Sequence, residues 1–149
     1  MHVPETLRHA LSSNLRLPML ATLTEETNLS ITDERIRTAR ALARMRSYPA
    51  AEKRLLEVLD QGSLPIDQAF AAHTELGNMY ARLGRIEEAK THWKKAIATG
   101  HSDPIPASNL ANILIVHDAN DQEALTLIQD ALEISPRCAP LINNLGLIE

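Results

Sequence analysis

Apolar residues along this chain recur at helical spacing. Ala51, Leu55, Val58 and Leu59 form a first set, Ala89, Trp93, Ala96 and Ile97 a second, and Ala124, Ile128, Ala131 and Leu132 a third. Each set is a small residue followed by apolar residues four, seven and eight positions on, which is one face of a helix. The sets start 38 and then 35 residues apart. Between them stand Leu76-Gly77, Leu110-Ala111 and Leu145-Gly146, at intervals of 34 and 35. A fixed period in this range predicts a stack of repeated units. Stacks of this kind carry long concave surfaces, so the period points to binding rather than to chemistry. Strand signals are nearly absent, and the predicted fold is all-α.

Turn and cap residues divide the pattern into about eight helices. The first is expected from Pro4 to Leu15, with Pro4 in a tolerated first-turn position. Residues 16–29 are ambiguous, apolar in places but broken by Pro18. A second helix is expected from Asp33 to about Arg46, behind Thr32 as N-cap. Pro49 opens a third that closes at Gly62, and Pro65 a fourth that closes at Gly84. The fifth runs from Ile86 to Thr99 and stops at Gly100. Pro104 and Pro106 open the sixth, Asn120 caps the seventh, and Pro140 opens a last one.

Short turns pair these helices as antiparallel neighbours. Gly77 is expected to allow close approach between the partners of its pair. Gly inside a helix costs about 1 kcal/mol relative to Ala, so packing is the natural reason for its use there. Ala111 and Gly146 echo it. The run Leu76-Gly77, Tyr80, Gly84, Ala89, Trp93, Ala96 resembles the tetratricopeptide repeat (TPR), a helix–turn–helix unit of about 34 residues. Leu110, Ala111, Ala124, Ile128, Ala131 and Pro136 repeat the resemblance with a turn one residue longer. Tyr48, Ala51, Leu55 and Val58 match in a first unit, where Thr38-Ala39 replaces Leu-Gly. The resemblance implies a right-handed solenoid. It would comprise an N-terminal helical cap (1–29), TPR units at 30–64, 65–103 and 104–138, and the start of an incomplete fourth at 139–149.

Composition removes several function classes. Aromatic residues are scarce: one Trp, two Tyr and one Phe. Such a core packs closely spaced helices through Ala and Leu. The net charge is −4, and no basic stripe interleaved with aromatics is present, so nucleic acid is not an expected partner. No apolar run is long enough to span a membrane. Cys138 is the single cysteine, which precludes an internal disulfide and suits a reducing, cytoplasmic setting. The six histidines lack metal-ligand spacing, and no phosphate loop, dinucleotide fingerprint or nucleophile elbow occurs. No catalytic residue, cofactor or metal is expected. His73 reads as a packing residue, and Glu87-Glu88 as charges that suit a helix N-terminus.

The resemblance implies that the first helix of each pair lines the concave surface. Counted from Leu76-Gly77, the groove face comprises Thr74, Glu75, Asn78 and Arg82, with Ala71 beside them. In the next unit it comprises Ser108, Asn109, Asn112 and Val116, and in the last Asn143, Asn144 and Leu147. In the first it comprises Arg37, Arg40 and Arg44. Five arginines between Arg35 and Arg46 face only Asp33 and Glu34. They read either as a solvated helix face or as an anchor for a carboxylate or acidic peptide. Asn is a poor helix former, yet its amide both donates and accepts and pairs with any peptide backbone. Asn109 and Asn144, each just before a Leu-small pair, are similar to the asparagine ladder inside the TPR superhelix of O-GlcNAc transferases. The lysines of chaperone-binding carboxylate clamps are missing.

The expected function is non-enzymatic binding of a protein or extended peptide in the groove. Two alternatives belong to other classes: the targeting segment of a larger glycosyltransferase- or sulfotransferase-like enzyme, and a secretion-type chaperone. Leu141, Ile142, Leu145, Leu147 and Ile148 make the last segment apolar, so self-association there is a further expectation.

Overall fold

The structure is a computed structural model that describes residues 4–6 and 17–149. Seven helices and no strand occur among the described residues. They are α1 (Leu17–Arg44), α2 (Tyr48–Leu59), α3 (Ile66–Arg82), α4 (Ile86–Ala98), α5 (Ile105–Val116), α6 (Asp121–Ile134) and α7 (Ala139–Ile148). Each helix from α1 to α6 packs on the next, and α7 packs on both α5 and α6. α1 also touches α3. The fold is an all-α helical repeat. The helix expected at Pro4–Leu15 lies almost wholly outside the described residues.

The ends of the helices follow their turn residues. Pro49, Pro106 and Pro140 stand in the first turns of α2, α5 and α7, where a missing N–H costs nothing. Asn120 caps α6 by accepting from the Glu123 amide at 3.3 Å, while its own amide donates to the Glu123 carboxylate at 2.8 Å. The backbone N–H of Asn120 donates instead to the Leu114 carbonyl at 2.9 Å, so the cap is a side-chain N-cap with a second side-chain bond to Glu123. Each turn inside a pair contains a residue with positive φ: Arg46 (61°), Gly84 (74°) and Ala119 (49°). Only the middle turn uses glycine for it.

The region around Thr32 departs from expectation. α1 is continuous through it, so Thr32 is not an N-cap, and the expected boundary at residue 29 falls inside one helix. Pro18 opens this helix rather than breaking it. Thr32 is buried, with its hydroxyl 3.0 Å from the Asn28 carbonyl and 3.1 Å from Gln61 Oε1. Buried Gln68 of α3 donates its amide to the Leu29 carbonyl at 3.1 Å and to Asp33 at 2.9 Å. These tertiary bonds override a local signal that favoured a helix start.

The core is the predicted set of small and branched residues. Ala51, Leu55, Val58, Leu76, Ala89, Trp93 and Ala124 are buried in one cluster with Leu110 and Leu114. Ala107, Ala111, Ile128, Ala131 and Leu141 form a second cluster, and Ile97, Leu127 and Ile148 pack against both. At Gly77 an added β-carbon would meet the Trp93 indole at 2.5 Å. The residue that needs this space is therefore the tryptophan ring rather than a neighbouring backbone. Gly146 is different: nothing lies within 4 Å of a β-carbon there, so close packing does not explain it. The last helix also buries more than expected. Leu141 is fully buried, while Leu145 and Ile148 pack on the second cluster. Ile142 and Leu147 are the apolar side chains that α7 leaves exposed.

Candidate functional site

An open cleft of about 380 Å³ lies between α1 and α3 and reaches the start of α5. Arg40 and Arg44 come from α1, and Thr74, Glu75, Asn78 and Arg82 from α3. No residue of α2, α4 or α6 lines it, so it belongs to the face made by the first helices of the pairs. Spacings of three, four and seven residues put each set on one side of its helix. Six of the groove residues expected from sequence thus converge. Phe70, Met79, Asp103 and Ile105 also line the cleft and were not expected. Phe70 is four positions before Thr74, so the helical period held its signal. Asp103 and Ile105 precede or open α5 and had none.

The charges in the cleft are unevenly satisfied. Arg40 Nε donates to Glu75 Oε1 at 2.5 Å, tying α1 to α3. Asp103 Oδ1 accepts from the Ile105 amide at 2.9 Å and so caps α5. Both acids of the cleft are therefore in use. Arg44 and Arg82 are exposed and have no carboxylate partner among the described residues. The Thr74 hydroxyl is buried without a hydrogen-bond partner. The remaining arginine, Arg37, points away and pairs with Glu34 at 3.4 Å on an exposed surface.

The asparagines divide into two groups. Asn78 Oδ1 accepts from Trp93 Nε1 at 3.1 Å and from Asn109 Nδ2 at 3.0 Å. Asn144 is buried, and its amide donates to the Ser108 carbonyl at 2.9 Å. These three side chains link α3, α4, α5 and α7 laterally. Asn112 and Asn143 are exposed and stand outside the cleft. A buried amide that already has partners gains nothing from a ligand unless those partners are released.

On the opposite face, α2 and α4 border a wide groove with α3 at its floor. His73 of α3 and His92 of α4 meet there with their Nδ1 atoms 2.9 Å apart. Such a contact needs one nitrogen to donate and the other to accept. Burial, the neighbouring His92 and Lys95 push His73 down to about 4. Burial and Lys95 also lower His92. Tyr80 donates to Glu52 at 2.7 Å and is pushed up to about 12 by burial and that bond. No group of three or more His, Cys, Asp or Glu among the described residues is arranged to hold a metal ion. No helix there is long and apolar enough to cross a membrane.

Comparison with known proteins places the middle of the chain. Residues 70–99, which cover most of α3 and all of α4, match the family model of the tetratricopeptide repeat. No curated protein matches the chain. The matched stretch holds the Gly77–Trp93 contact, the His73–His92 pair and four of the six expected cleft residues, Thr74, Glu75, Asn78 and Arg82. Repeats of this kind are protein-interaction modules. Residues 70–99 are thus similar to one tetratricopeptide repeat, set within an all-α run of helices packed in succession.

Proposed function

We propose that the cleft between α1 and α3 binds an extended segment of another protein through an acidic side chain or a carboxylate, without catalysis. In this reading α1–α2, α3–α4 and α5–α6 are three successive repeat units, and α7 opens a fourth. The observation that carries the proposal is the pair Arg44 and Arg82. Both line one cleft, both lack a carboxylate partner among the described residues, and the acids nearby are already engaged. A guanidinium offers a planar fork of donors that fits a carboxylate. The buried Thr74 hydroxyl supplies a further polar atom in the cleft wall.

The asparagines mostly bond to neighbouring helices and not to the cleft space. Asn78 ties the α3 wall to α4 and, through Asn109, to α5, Asn144 ties α5 to α7, and Asn112 and Asn143 remain for backbone contacts along the same face. A peptide array of extended ten-residue sequences, graded in Glu and Asp content, tests the proposal. Binding should rise with acidic content and fall about tenfold or more in Arg44→Glu/Arg82→Glu. Equal binding of neutral and acidic peptides, or indifference to the double change, would refute it.

A further inference from the structure

A second feature lies between α4 and α6, away from the arginines of the cleft, although its smaller hollow reaches the 100–104 turn and shares Asp103 with the cleft. Two adjoining hollows of about 510 and 140 Å³ share Ile97, Leu127 and Asp130 in their walls. Leu110 underlies the first hollow, and Ala131 and Ile134 line the second. Ile134 is 64% exposed, so the apolar trough continues to the surface. In the preceding repeat, the places of Ala107, Leu127 and Asp130 are taken by His73, His92 and Lys95, 34 or 35 residues earlier. The groove between α2 and α4 therefore has a polar floor and a lysine, whereas this one has an apolar floor and a carboxylate.

The rim is acidic. α6 contains Asp121, Glu123, Asp130 and Glu133 and no lysine or arginine. Lys94, on the α4 wall, is paired with Glu123 at 3.1 Å. Asp130 stands between the two hollows with no partner among the described residues. An apolar trough of this kind accepts branched aliphatic side chains, and an unpaired carboxylate at its middle favours a base beside them. We infer that the α4–α6 trough is a second docking surface, for a partner segment with leucine-like side chains next to a lysine or arginine. Its chemistry is the reverse of the arginine cleft, so the two faces select different segments.

The probe is a fluorescein-labelled amphipathic helical peptide with leucines along one stripe and lysines flanking it. A companion peptide carries glutamates in place of the lysines. Anisotropy titrations should show the lysine peptide binding about tenfold or more tighter than the glutamate one. Asp130→Lys, an exposed change that leaves the fold intact by circular dichroism, should weaken the lysine peptide by a similar factor. Arg44→Glu, in the arginine cleft, should leave it unchanged. Backbone amide shifts on binding should concentrate at Ile97, Leu127, Asp130 and Ile134. Equal binding of the two peptides, no binding of either, indifference to Asp130→Lys, or shifts confined to the α1–α3 cleft would each overturn the inference.

Discussion

Trp93 occupies the space that a side chain at Gly77 would need: a β-carbon on Gly77 would stand 2.5 Å from both Cδ1 and Nε1 of the indole. The ring is 3% exposed and its N–H is held by Asn78 at 3.1 Å, so it has little freedom to move aside. Gly77→Ala should destabilise the fold by about 1–3 kcal/mol through overpacking, despite the better helix propensity of alanine. Gly146→Ala is the matched control, because nothing lies within 4 Å of its β-carbon. There the propensity gain should show, as a rise of up to about 1 kcal/mol. Urea denaturation of both variants checks the contrast. Equal midpoints would mean that Trp93 does not pack as described.

Asn78 accepts two hydrogen bonds with one oxygen, from Trp93 and from Asn109. Asn78→Ala leaves both donors without a partner in a part-buried setting. The cost should be about 1–3 kcal/mol. The native tryptophan emission, expected to be blue-shifted because the ring is buried, should shift on this change. An unaltered spectrum together with unaltered stability would place Asn78 outside the packing network.

The turns suggest a simple gain of stability. Arg46 and Ala119 adopt positive φ in places where the middle turn uses Gly84. Left-handed backbone costs a residue with a β-carbon roughly 1 kcal/mol. Ala119→Gly and Arg46→Gly should each raise the unfolding free energy by up to about 1 kcal/mol after the entropy gained by the unfolded chain is subtracted, seen as a higher urea midpoint. A fall in stability for both would contradict the turn geometry.

Stability should also depend on pH through His73 and His92. Both hold their protons less readily when folded than when unfolded, and His73 is pushed down to about 4. The unfolded chain, whose imidazoles titrate near 6.5, therefore binds more protons as pH falls. This contribution is complete above about pH 6.5 and is lost as pH drops from there toward 4. One added proton still permits Nδ1–H to donate to its neighbour, whereas a second leaves two donors facing each other. His73→Phe should flatten the profile in that window. Proton NMR titration of the His73 imidazole gives the midpoint directly, and a value near 6.5 in the folded state would remove the basis of the prediction.

The parts of the fold that repeat were readable from sequence. The small–apolar sets around Ala51, Ala89 and Ala124 are buried because their spacing permits only one face of a helix to hold them. Gly62, Gly84 and Gly100 marked their turns because their backbone conformation suits glycine. Arg46 and Ala119 hid the same geometry, since neither residue type announces it. Thr32 misled because threonine both caps helices and, once packed against Gln61, sits within one. The cleft was legible on α1 and α3, whose residues follow a helical period. Asn78 and Asn144 looked like free groove amides because sequence spacing gives a face but not the neighbour opposite. Ser108 and Trp93 are those neighbours. Leu127 and Asp130 were unremarkable until the hollow beside them was visible.

The binding face decides the function of this fold. An acidic ten-residue peptide selected from the array, titrated into isotopically labelled protein, settles it by amide chemical-shift mapping. Perturbations are expected at Thr74, Glu75, Arg82 and residues around Arg44 at low salt, fading as added salt screens the exposed guanidinium groups. Perturbations confined to α2, α4 and α6, with Arg44 and Arg82 untouched, would contradict this assignment of the face.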